Sequence, residues 1–170
     1  MRRKFLSLLF LAVLASSHSL KAQAFFENDD NAYTDAYSWT PRYLQPATYD
    51  SRIDPSLIRA AIIAEQRAGR HSLLLCWHYV KAALVDAHAV NSCPKTAYAC
   101  EAGSELVALH GFVRLPVSDP YRAPVGSVIV YSGHGAGHVE MRTPHGFASD
   151  YRSIWACRYH LLGVYARLAS

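Results

Sequence analysis

The chain has 170 residues, about half of them apolar, and a formal net charge of +4. Of its 17 basic groups, Arg2, Arg3, Lys4 and Lys21 all precede residue 25, and those left equal the 13 acidic groups in number. A neutral remainder gives no electrostatic case for nucleic acid or anionic lipid as a partner, and its length suits one domain with a real core.

Met1-Arg2-Arg3-Lys4, the apolar run from Phe5 to Ala15 and the small-x-small triplet Ala22-Gln23-Ala24 read as a signal peptide over 1–24. The apolar run is too short to span a bilayer. The expectation is an exported protein, periplasmic or secreted, that starts near Phe25 and is free of the membrane after cleavage. No Cys lies near that cut, which argues against a lipoprotein anchor. Residues 25–52 follow no helical or strand period; Tyr33, Tyr37, Trp39, Tyr43 and Tyr49 make them an irregular, aromatic-rich arm that packs on the domain or lines a groove.

Asp54-Pro55 signals a helix start, with Asp as N-cap and Pro at the first helical position, and Leu57, Ile58, Ala61, Ile62 and Ala64 form its apolar stripe. Gly69 ends it. Ser72 then reads as the N-cap of a second helix from Leu73 to about Val90, which puts Cys76 in the first turn. Amides at a helix start favour an anion, so a thiol there ionises below its usual value of roughly 8.5. Ser104 to Gly111 reads as a short third helix. Apolar runs bounded by Gly and Pro give strands near Ser127 to Tyr131, His138 to Thr143, Phe147 to Tyr151 and Leu161 to Leu168. Helices first and strands later, with short antiparallel connections, make the class α+β.

An exported chain can keep disulfides, and Cys93 and Cys100 share a short polar loop, so a local disulfide between them is the leading expectation. Pairing Cys76 with Cys157 is the competitor and would abolish a nucleophile; the state of Cys157 is open.

The order of a Cys opening a helix, the turn Gly135-Ala136-Gly137 leading to His138 at a strand start, and polar Asp150 on the next strand resembles the papain-like NlpC/P60 and CHAP hydrolases of bacterial cell walls. The resemblance runs from about Ile53 to Leu168 and sets a hydrolase domain at 53–170, N-terminal helices packed on an antiparallel sheet. It implies a cysteine peptidase or amidase that cuts an amide bond of peptidoglycan, as a stem-peptide endopeptidase or an N-acetylmuramoyl-L-alanine amidase. Cys76 would be the nucleophile, His138 the base and Asp150 the group that orients the imidazole. Glu140 is the rival third residue, since period two puts it on the same face as His138, and it is otherwise a substrate contact along with Trp77.

His134, His138 and His145 invite a zinc reading, but their spacing matches no metallopeptidase pattern, so no metal and no cofactor is expected. The partner is peptidoglycan or its muropeptides; a protein inhibitor or immunity partner is left open. The alternative function is a non-catalytic wall-binding or partner-binding module on the same fold, which a Cys76 to Cys157 bond would favour.

Overall fold

The computed structural model describes residues 41–133 and 135–169. The signal segment 1–24, the first part of the arm (25–40) and His134 lie outside the described residues. The class is α+β: three helices and one antiparallel sheet of six strands among the described residues. Among them, too, no helix is long and apolar enough to cross a membrane.

Helix α1 (Pro55–Arg67) starts as its sequence dictates. The Asp54 carboxylate accepts from the Ser56 amide at 2.8 Å, and Pro55 needs no partner for a missing N–H. Arg167 donates to the same carboxylate through Nε at 2.9 Å, which ties the helix start to the end of the last strand. The chain leaves α1 through extended Ala68 rather than a glycine cap. Gly69 instead donates its N–H to the Asp150 carbonyl and accepts from the Arg152 amide.

Helix α2 (Cys76–Asp86) is shorter at both ends than the sequence suggests. Its N-cap is Leu75, with no side-chain cap, because the Ser72 hydroxyl is bonded to Asp150. At the other end, the Ala89 amide reaches the Leu84 carbonyl and the His88 amide reaches Val85, a Schellman stop with His88 at φ 55. Helix α3 (Ala102–His110) follows a 3-10 turn at Ala99–Glu101 and ends on left-handed Gly111 as expected.

The strands are β1 (Val113–Leu115), β2 (Val128–Tyr131), β3 (His138–Thr143), β4 (Gly146–Ala148), β5 (Arg152–Ser153) and β6 (Leu161–Ala166), in the order β1-β6-β2-β3-β4-β5. The third expected strand runs only as far as Ala148, and Ser149 and Asp150 bend away from it.

Period two along β3 divides its side chains between two cores. Val139 and Met141 join the helix-side cluster around Leu57, Val80 and Leu84, all buried. A Leu or Val moved from water into such a cluster contributes about 1.5–3 kcal/mol. The opposite face carries Ile129, Tyr131, Phe147 and Val164, and Arg142 lies over the Phe147 ring at 4.8 Å. His138 and Glu140 belong to this second face, opposite Tyr131 and Ile129 in register.

The expected disulfide between Cys93 and Cys100 is not formed; both are free thiols, as are Cys76 and Cys157. The loop is fixed by other means. Buried Glu105 accepts from the Lys95 and Thr96 amides, and Trp77 Nε1 and Lys81 Nζ donate to the Thr96 carbonyl. Cys93 Sγ faces the Pro94 carbonyl at 3.6 Å, while the Cys100 amide is bonded to Ala136 in the glycine turn.

Gly126, at φ +94, enters β2 pressed on α1, and a Cβ there would stand 3.0 Å from the Leu57 carbonyl carbon. Gly126→Ala should therefore lower the unfolding free energy by about 2 kcal/mol in urea titration, from a strained φ and a backbone that cannot retreat.

Candidate active site

Cys76 is the first residue of α2, and His138 is the first residue of β3. The link between them is a glycine turn that only glycine can make. Gly137 has φ +71, and a Cβ on it would meet the Tyr131 carbonyl oxygen at 2.6 Å and Cys100 Cβ at 2.8 Å. That close approach sets the start of β3 against the Cys100 turn and delivers the imidazole to the thiol.

The thiol and the imidazole lie close enough that each shifts the ionisation of the other. Burial alone would raise the half-buried Cys76 thiol. The His138 bond and charge and the Val139 and Trp77 amides outweigh it, and the net shift is downward. For His138, burial would favour the neutral ring, but bonds to Cys76 and Glu140 and their negative charge raise it to about 9. Both shifts favour a thiolate and imidazolium pair over two neutral groups.

Glu140, only 2% exposed, faces the other side of the ring. Its Oε2 stands 3.4 Å from His138 Nε2, an ion pair rather than a good hydrogen bond. Its Oε1 accepts from the Tyr131 hydroxyl at 2.6 Å and from the Cys157 amide at 3.2 Å. The carboxylate is thereby fixed in rotation, with one oxygen held and the other turned to the imidazole. Tyr131 and Tyr151 flank the ring at centroid distances of 6.0 and 6.2 Å.

Asp150 does not reach His138. It is fully buried, and its carboxylate accepts from the Leu73 and Leu75 amides and the Ser72 and Ser149 hydroxyls. Burial would raise its carboxyl, but these bonds hold it below the usual range. The parity of β4 explains the difference from expectation: Phe147 lies on the face of His138 and Ala148 on the helix-side face, so residue 150 falls with Ala148, away from the imidazole, and the strand itself ends at Ala148. Asp150 instead clamps the segment leading into Cys76.

The clamp has a visible effect on that segment. Leu74 sits at φ 61, a conformation that costs a leucine on the order of 1 kcal/mol, and is 92% exposed. Trp77 is not a surface for substrate; it is 4% exposed, with its Nε1 bonded to Thr96. Buried Glu140 is likewise closed to substrate. Cys157 is half-buried beside Glu140, its thiol raised chiefly by burial. His145 is remote in role from His138, with its Nδ1 facing Glu65 at 3.2 Å. Sequence reasoning missed Tyr131 altogether, although a phenol in an otherwise aliphatic strand opposite His138 was the available signal.

No protein-family model matches the chain, and no curated protein does. Among solved structures, it is similar to a chain in the type VI native effector-immunity complex Tae3-Tai3 from Ralstonia pickettii. That match has a TM-score of 0.52 and 22% identity and covers 65% of this chain and 98% of the other. The selenomethionine form of the complex aligns with a TM-score of 0.46 and 26% identity, over 55% of this chain and 80% of that one. The first likeness is one of fold.

Iodoacetamide labelling of Cys76 against pH should inflect below the ordinary cysteine value, and His138→Ala should move that inflection upward. An unshifted inflection in the variant would show that the imidazole does not hold the thiolate.

Proposed function

We propose that the chain is an exported thiol hydrolase of the papain-like NlpC/P60 or CHAP kind that cuts an amide bond of peptidoglycan, within the stem peptide or between stem and glycan. The observation that carries this reading is the meeting of Cys76, at the start of α2, with His138, at the start of β3, where the thiol is lowered and the imidazole raised to about 9. Such a pair is a ready nucleophile with its acid beside it. Glu140 takes the orienting role that the sequence offered first to Asp150, and Asp150 is a positioning residue.

The thiolate adds to the scissile carbonyl carbon and pushes the carbonyl π electrons onto oxygen. Collapse of that intermediate expels the amine, which takes the His138 proton and leaves an acyl thioester on Cys76. The now neutral imidazole removes a proton from water, the hydroxide displaces the thiolate, and the acid product departs with the starting ion pair restored. Glu140 keeps the ring turned toward the thiol through this exchange and offsets its positive charge.

The free state of Cys76 and Cys157 favours this reading over a non-catalytic binding module. The signal-like segment at 1–24 supports export to where peptidoglycan lies. Likeness of fold to a chain of an effector-immunity complex supports an antagonistic role, with the wall of another cell as target and an immunity protein as partner.

Purified protein should release soluble fragments from isolated sacculi, identified by mass, and neither Cys76→Ala nor His138→Ala should do so. Glu140→Gln should cut kcat on the order of 10²-fold through the misdirected ring. Asp150→Asn should chiefly lower thermal stability. Activity should fall as pH rises through about 9, where His138 loses the proton that the leaving amine needs. Fragment release by Cys76→Ala would sink the proposal.

A further inference from the structure

We infer that Leu74 forms the wall of the substrate cleft beside Cys76 and contacts an apolar residue of the peptide next to the scissile amide. The inference rests on the hydrolase reading and adds a specificity determinant to it. Leu73, Leu74 and Leu75 are 58%, 92% and 47% exposed, three successive leucines open to solvent directly before the nucleophile. Nothing in the fold gains from the Leu74 side chain, which packs on almost nothing. Its backbone, at φ 61, suits Gly or Asn far better than Leu.

Hydrogen bonds hold the strained backbone in place. Buried Asp150 accepts from the amides on both sides of Leu74, those of Leu73 and Leu75, and the Ser72 hydroxyl accepts from the Leu74 amide itself at 3.1 Å. A clamped backbone presents the side chain outward in one position. Two residues of chain reach at most about 7 Å, so Leu74 lies within two substrate residues of the sulfur. A peptide residue that flanks a carbonyl carbon at Cys76 on the Leu74 side therefore comes within reach of that side chain. An isobutyl group there selects an apolar neighbour, because a charged one would be desolvated without a partner.

The test is Leu74→Asn, which keeps the left-handed backbone without strain and removes the apolar wall. The probe is a set of soluble muropeptides released from purified sacculi by a muramidase. The variant should unfold at the same or higher temperature than wild type, and Cys76 should react with iodoacetamide within twofold of the wild-type rate. Its KM should rise about tenfold with kcat within twofold. An unchanged KM would overturn the role of Leu74 while leaving the hydrolase reading intact. A changed alkylation rate would also overturn it, since the residue would then act by placing the thiol. Wild-type protein that releases nothing, like Cys76→Ala, would instead overturn the hydrolase reading and the Leu74 assignment with it.

Discussion

The carboxylate of Asp150 is the tie on which the site depends. It lies at 0% exposure and gathers two backbone amides and two hydroxyls, one donor set from the segment before α2 and one from its own loop. A buried carboxylate without such partners would be costly, and removing it would orphan several donors at once. The Gly69 amide is bonded to the Asp150 carbonyl as well, so the exit of α1 and the entry of α2 are both fastened to the bend after β4. With that bend in place, the first turn of α2 has one position relative to β3.

Two buried acids thus act around one thiol. Asp150 acts on the backbone that carries the Cys76 thiol, and Glu140 acts on the imidazole beside it. Each carboxylate is oriented by its own donors, Ser72 and Ser149 for the first, Tyr131 and the Cys157 amide for the second. The division keeps the two negative charges on separate sides of the pair. A second carboxylate against the imidazole would bring like charges together, which a buried setting penalises.

Much of this was legible in the residues. Asp54-Pro55, the Gly111 stop and the Gly135 to Gly137 turn act locally, and their outcomes match the sequence reading. The placements of Cys76 and His138 at element starts follow from the same local signals. Ser72 misled because a hydroxyl that caps a helix in isolation finds a buried carboxylate 78 positions away. Asp150 misled because a place on the neighbouring strand does not fix the face: the register puts Phe147 on the His138 side and Ala148 toward the helices, so position 150 turns away from the imidazole. Glu140 lies inside β3, where alternation holds, and its place beside His138 was readable for that reason. Trp77 adjoins the nucleophile in sequence, but a step of about 100° around a helix turns it into the core. The pairing of β6 with β1 and β2 depends on contacts far apart in the chain and left no local mark, and β5, two residues paired with nearby β4, is too short to show a period.

The position of β6 bears on when this molecule can assemble. It is the last of the described strands along the chain, yet it lies inside the sheet, between β1 and β2. Until residues 161–166 are available, β2 has an open edge, and β1 has no partner in the sheet. Arg167, just beyond, supplies the ion pair that holds the start of α1 at Asp54. Closure of the sheet must therefore wait for residues 161–166, far along the chain from β1, and such distant pairing is slow. The order of assembly follows: the β2 to β5 hairpins can pair as soon as they are made, whereas β1 and the start of α1 are fastened only when β6 and Arg167 arrive.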